Sequence, residues 1–316
     1  MTRPHSSSRK VLLDVDPGIA DALAMCLALS DPRLEVVACT ATGGNVSPEQ
    51  ATRNVQAIVE QIDPPRWPRI GAADPMQSLL ANNRQLCGQD GLCGADFGVA
   101  ELHNRHHSVK IIAEEIRSAP GELTIIAGGP LTNLGAVLQR EPDLATQVGH
   151  LIIVGGTYNG PGNVTAAAEF NIYNDAQSAQ HVFRSPITKT LLPLDVSSTA
   201  ELELGVLEQL PDASCGIGRL LHTLLPGAFL AHHESLGRET ISVPEAIAVV
   251  AAVHPELLTT QPFSCDVETA GTITHGVTVL DRRPQRRNNQ TNMDVVIELD
   301  TQGAIDSMLR TLKQAG

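Results

Sequence analysis

Asp14, Asp16 and Asp21 fall within one short stretch, Val11-Leu12-Leu13-Asp14-Val15-Asp16-Pro17-Gly18-Ile19-Ala20-Asp21-Ala22-Leu23. Carboxylates this close repel one another unless a cation lies between them or one holds a proton. A hard, oxygen-seeking ion such as Ca²⁺ is the natural occupant. Asp14 and Asp16 alternate with Leu13 and Val15, so a period of two puts them on one face of a strand as it leaves its sheet. Pro17-Gly18 then turn the chain into a helix carrying Asp21. The plainer alternative makes Asp21 an acid at a helix N-terminus and the others solvated turn residues, an arrangement that seldom gathers three carboxylates.

The elements that must position these residues follow an alternating pattern. Strand-like apolar runs are read at Val11–Asp14, Leu34–Thr40, Leu123–Ala127, Leu151–Val154 and Ile187–Leu192. Helical patterns are read at Asp21–Leu29, Pro48–Gln61, Ser108–Ala119, Leu131–Gln139 and Ala176–Arg184. Such alternation predicts an α/β fold: a single large Rossmann-like domain, a mostly parallel sheet flanked by helices. Ligands of such sheets collect beyond the carboxyl ends of the strands. Four strand ends here carry chemically apt turns: Asp14-Val15-Asp16, Thr42-Gly43-Gly44-Asn45, Ala127-Gly128-Gly129-Pro130 and Gly155-Gly156-Thr157. Any one glycine pair is ordinary turn chemistry, but four together mark the expected site. No G-x-G-x-x-G follows the first strand, and neither G-x-x-x-x-G-K-[ST] nor G-x-S-x-G occurs. Nucleotide-phosphate binding of the usual kinds and an α/β-hydrolase nucleophile are therefore disfavoured.

The chain of 316 residues carries a net charge of −13, from 35 acidic against 22 basic residues. That balance argues against a nucleic-acid or anionic-membrane partner and fits a neutral small molecule better than a phosphate-rich one. Cys26, Cys39, Cys87, Cys93, Cys215 and Cys265 form no C-x-x-C pair and read as buried or free thiols of a reducing cytoplasm. Residues 1–10 lack the apolar stretch of a secretory signal, and no apolar run approaches membrane-spanning length. Residues 1–9 are expected to be a flexible tail and 10–316 one domain, since no linker-like or low-complexity block divides the chain.

The opening motif resembles the D-x-D-P-G-x-D-D signature of the inosine-uridine preferring nucleoside hydrolases, and further landmarks agree in order and approximate spacing. Asn45 follows the second strand as that family's Asn does. Gly129-Pro130-Leu131-Thr132-Asn133 is similar to its G-P-L-T-N turn, Ala168-Glu169-Phe170-Asn171 to its A-E-F-N segment, and Leu194-Asp195-Val196 to its later L-D-V. The resemblance implies hydrolysis of the N-glycosidic bond of purine or pyrimidine ribonucleosides, with a Ca²⁺-bound water attacking the ribose anomeric carbon. It also implies a small-molecule nucleoside as partner and a homodimer or homotetramer. By resemblance, Asp16 and Asp21 are carboxylate ligands of the ion, Gly128 supplies a backbone carbonyl, and Asp16 doubles as general base. A carboxylate beside a dication is a weak base, so its value lies in its position against an acidified water. Asn45, Asn163, Glu169 and Asn171 resemble the residues that hold ribose hydroxyls and favour positive charge on the sugar. For Asn163 a plain turn role in Asn159-Gly160-Pro161-Gly162-Asn163 is an equal alternative. Phe170 is expected to pack away from the site while its two neighbours project together.

Three departures fall where the family does its chemistry. Ala20 stands in place of the second Asp of the D-D pair. Ser242-Val243-Pro244 aligns with the family's H-D-P, removing the histidine proposed as leaving-group acid and one Asp ligand. Cys87-Gly88-Gln89-Asp90-Gly91 replaces H-G-E-S-G, putting a thiol for another histidine. Glu245 is the possible substitute ligand, although positions two apart on a helix point in different directions and a solvated or helix-N-terminal role is expected first. His232 and His233, with His222 one helix earlier, and Tyr158 are candidate leaving-group contacts. The alternative function is a catalytically impaired ribosyl-binding or sensing protein, motivated by Ala20, Ser242 and Val243.

Overall fold

The computed structural model describes residues 8–99, 105–283 and 291–315. Its central sheet has nine strands. From one edge these are Leu258–Phe263, Met293–Leu299, β7 (Lys189–Leu192), β6 (His150–Val154), β5 (Thr124–Ala127), β1 (Arg9–Val15), β2 (Leu34–Ala41), β3 (Arg69–Ala72) and β4 (His106–His107). Every pairing is parallel except the antiparallel one between Leu258–Phe263 and Met293–Leu299. The expected mostly parallel α/β sheet is therefore present. Of the anticipated tail, residues 1–7 lie outside the described residues, whereas Arg9 already pairs with Leu34 and belongs to β1.

Both faces of the sheet are covered, which is why β1 reads as a continuous apolar run. Val11, Leu13 and Val15 enter a core formed with the helices Ile19–Ser30, Pro48–Ile62, Gly216–Leu236, Pro244–Val253 and Thr301–Gln314. Leu12 enters a second core, with the helices Ser108–Ser118, Thr132–Arg140 and Ala176–Arg184. The period of two puts Asp14 on Leu12's face, where it is wholly buried.

Chain order sets the location of the site. From β1 the chain proceeds outward through β2, β3 and β4, then returns to β5 on the other side of β1 and runs outward through β6 and β7. The β1–β5 boundary is thus a topological switch point, and the crevice beyond its carboxyl ends is where such sheets bind ligands. Asp16 leaves β1 there and Gly128 leaves β5 there, with Asp14 in register with Ala127. A two-stranded ribbon, Glu201–Glu203 with Thr240–Ser242, ties the end of helix Gly216–Leu236 to the start of helix Pro244–Val253 above this crevice. His222 and His232 lie on that one helix, not on successive ones, because it continues through Pro226.

Candidate active site

A cavity of about 850 Å³ opens at the switch point. Asp14 lies behind it as a support. Its Oδ1 accepts hydrogen bonds from Thr40 Oγ1 (2.7 Å) and Asn133 Nδ2 (2.8 Å), locking β1 to β2 and to the helix after β5. Its Oδ2 is buried without a partner among the described residues, and burial pushes the carboxyl up to about 6. Asp16 comes next, clasped by the Asn45 backbone N–H on Oδ2 (2.6 Å), while Asn45 Nδ2 donates to the Asp16 carbonyl (3.0 Å). A Cβ at position 44 would overlap Asp16 Oδ2, so the second strand's turn needs glycine there for the backbone to come close. Asp21, in the first turn of helix Ile19–Ser30, accepts the Gly18 N–H on Oδ2 (3.1 Å) and leaves Oδ1 buried without a partner among the described residues.

Glu245 turns into the same space. A Cβ at position 128 would sit 3.0 Å from Asp21 Oδ1 and 3.1 Å from Glu245 Cγ, which places both acids against the main chain that leaves β5. The helix begins at Pro244 with Val243 as its N-cap. Side chains in a first turn lean toward the helix N-terminus, here toward the carboxyl ends of β1 and β5. Val243 instead packs into the core and is only 1% exposed. Burial is the largest cause raising Asp16, Asp21 and Glu245 above ordinary carboxyl values, Asp21 to about 6. For Asp16 and Glu245 the charge of Asp21 raises them further. Among the described residues no three His, Cys, Asp or Glu side chains form a self-sufficient metal cluster, so an ion here would rely also on main-chain oxygen.

The wall beyond β6 is built by Glu169 and Asn171. Glu169 caps the short helix Phe170–Asn174, and its carboxylate accepts N–H groups from Gly156 (2.9 Å), Asn171 (2.9 Å) and Ile172 (3.1 Å). Burial still raises its pKa. Asn171 Nδ2 spends both hydrogens on main-chain carbonyls, Gly128 (2.6 Å) and Val154 (3.1 Å). Its Oδ1 is therefore the end left to accept from a ligand, and the Gly128 carbonyl keeps a second lone pair. Phe170 does not pack away as expected: it is half-buried and lines the cavity with its neighbours, because the helix begins there and strand-like alternation does not apply. Asn163 is exposed at the rim, and its Oδ1 accepts the Phe170 N–H (2.9 Å), pinning the preceding loop.

Residues 11–306 match the family described as Inosine-uridine preferring nucleoside hydrolase. The chain belongs to this family. It is 33% identical over 306 residues to the pyrimidine-specific ribonucleoside hydrolase RihA of Salmonella paratyphi C, covering 96% of this chain and 98% of that one. It is 35% identical to the non-specific ribonucleoside hydrolase RihC of Salmonella agona, with 94% and 95% covered. Among solved structures it resembles the purine-preferring ribonucleoside hydrolase of Gardnerella vaginalis, with a TM-score of 0.89, 26% identity and 97% and 99% covered. It also resembles a plant nucleoside hydrolase, with a TM-score of 0.86, 28% identity and 96% and 99% covered.

More of the wall of this nucleoside hydrolase cavity comes from helix Gly216–Leu236 and from the loop around Cys87, which approaches Gly18. Cys87 is buried, donates to the Asn83 carbonyl (3.2 Å), and its thiol is pushed up to about 12, first by burial and then by Cys93 and the nearby aspartates. A protonated thiol there is a small apolar wall, not a nucleophile. Of the three histidines singled out, only His232 lines the cavity. His222 contacts the Pro211 carbonyl, and His233 pairs with Glu239 at the surface. Tyr158 packs against Phe263 with Arg282 over its ring, away from the cavity. Sequence reasoning missed Arg238, which lines the cavity 3.6 Å from Glu201, because its nearness comes from the ribbon and not from any local motif. No helix among the described residues is long and apolar enough to cross a membrane.

Proposed function

We propose that this protein hydrolyses the N-glycosidic bond of ribonucleosides, purine or pyrimidine, in the switch-point cavity. The observation that carries this reading is the gathering of Asp21 and Glu245 against Gly128 and of Asp16 against Gly129, with the fixed carboxylate of Glu169 close enough to act on Glu245. Asp21 Oδ1, buried without a partner among the described residues and beside the other acids, calls for a cation. The residues fit Ca²⁺, with Asp16, Asp21 and the Gly128 carbonyl as ligands and Glu245 in place of the aspartate that Val243 cannot supply. Such an ion, when bound, acidifies water and grips neighbouring sugar hydroxyls.

The chain's own groups account for the rest. Asp16, held by Asn45, is aimed to take the proton from the attacking water. Asn171 Oδ1 accepts from a ribose hydroxyl. Asn163 at the rim reaches the outer end of the sugar. The Glu169 carboxylate, fixed by three N–H groups, stabilises positive charge developing on the ring. Ala20 removes one hydroxyl acceptor that the family pattern supplies, so the sugar is held by fewer groups.

Hydrolysis of 4-nitrophenyl riboside, whose leaving group needs no acid, tests this reading directly. Turnover by the natural chain and its loss in Asp16→Ala is the expected result. Tight ribonucleoside binding without turnover of any riboside would instead identify a ribosyl-binding or sensing protein.

A further inference from the structure

His232 has a fixed hydrogen-bonding polarity. Its Nδ1 lies 2.9 Å from the Ala228 carbonyl, one helical turn back. A carbonyl only accepts, so Nδ1 carries the hydrogen, and in the neutral ring Nε2 presents a bare lone pair. Nε2 has no partner among the described residues, and the ring forms part of the cavity wall on the helix Gly216–Leu236. The charged groups around the ring act in opposite directions, Arg238 disfavouring its protonation and Glu201 favouring it, while burial, the largest influence, keeps it neutral. The remaining wall nearby is apolar or amide: Leu86, Ala228, Leu236 and Asn83. An acceptor fixed in such a wall discriminates by hydrogen bonding, because a ligand without a matching donor leaves it desolvated and unpaired.

We infer that His232 is a specificity residue whose Nε2 accepts a hydrogen bond from a ring N–H of the leaving base, selecting nucleobases with a lactam-type N–H edge. The inference rests on the reading of the cavity as a ribonucleoside site. It makes His232 an acceptor for the base and not the acid that protonates it, since a neutral ring with Nδ1–H has no proton on Nε2 to give.

Equilibrium binding by calorimetry, in calcium-containing buffer, tests the inference without requiring turnover. The probes are inosine against 1-methylinosine and against purine riboside, which lacks the N–H without added bulk, and uridine against 3-methyluridine. The natural chain should bind inosine and uridine at least about tenfold more tightly than their partners lacking the N–H. In His232→Phe, which keeps a planar ring and deletes the acceptor, the inosine-to-purine-riboside ratio should fall to within about twofold of unity. His232→Gln, whose side-chain oxygen can accept, should restore part of the preference. An inosine-to-purine-riboside ratio unchanged in His232→Phe, or absent in the natural chain, overturns the inference while leaving the ribonucleoside site intact. Failure to bind any of the ribosides overturns both, and turnover of 4-nitrophenyl riboside reports on the hydrolase reading independently of His232.

Discussion

The two ends of the cavity are built on opposite plans. At the sugar end, four polar groups gather beyond the carboxyl ends of the central strands and are fixed by backbone hydrogen bonds: Asp16 by Asn45, Asp21 by Gly18, Glu169 by three amides and Asn171 by two carbonyls. At the base end, His232 and Arg238 lie on the flank of helix Gly216–Leu236 and just after it, partly or wholly exposed, each with a single side-chain tie among the described residues. A rigid floor beneath an adaptable wall teaches where selection acts: the floor must match one sugar and one reaction, while the wall can change with the base.

The sharpest way to break this contrast is to remove the floor's base. Asp16→Ala should cut kcat/KM for 4-nitrophenyl riboside by at least about a thousandfold, read in steady-state assays with calcium present. A loss below tenfold would show that the floor does not do the chemistry. Next in size, Glu245→Ala should weaken calcium binding by more than about tenfold in calorimetric titrations. Val243→Asp, by contrast, should destabilise the fold by a few kcal/mol in denaturant melts, because it places a charge in a packed core.

The floor should also carry a pH signature that the wall lacks. Burial raises Asp14 to about 6 from an ordinary value of 3.8. An acid whose folded pKa lies above its unfolded one favours the fold fully below about pH 4, and that advantage is lost as pH rises through about 6. In chelator, the melting temperature should therefore fall from pH 4 to pH 7, with Asp14→Asn flattening the slope by on the order of 3 kcal/mol across that window. Asp21, also raised to about 6, acts with the same sign, and calcium at pH 7 should recover most of the loss. The smallest effect belongs to the wall: Cys87→Ala should change riboside affinity by less than about threefold. Its buried thiol, pushed up to about 12, should resist alkylation at pH 8 while the protein is folded.

The same contrast separates what was legible in the sequence from what was not. β1 announces itself because both faces are buried and its acids follow without interruption, and the glycine turns after β2 and β5 mark the site by chemistry confined to a few residues. β3 and β4 escaped notice because Arg69–Ala72 and His106–His107 are too short to show a period. Asp14's support was hidden for another reason, since Asn133 lies 119 residues away and only strand order brings it near. Glu245 was expected to point elsewhere because helix spacing alone ignores the lean of first-turn side chains toward the N-terminus. At the base end neither His232 nor Arg238 belongs to any pattern, and the ribbon Glu201–Glu203 with Thr240–Ser242 is what gathers them.

The central claim is that Asp16, Asp21, Glu245 and the Gly128 carbonyl form a calcium site. A crystal structure grown in millimolar calcium tests it most directly. One ion is expected with Asp16, Asp21 and Gly128 oxygens at about 2.3–2.6 Å and a Glu245 oxygen completing the protein ligands. Density for the ion elsewhere, or these oxygens bridged only by water and protons at that calcium concentration, would contradict it.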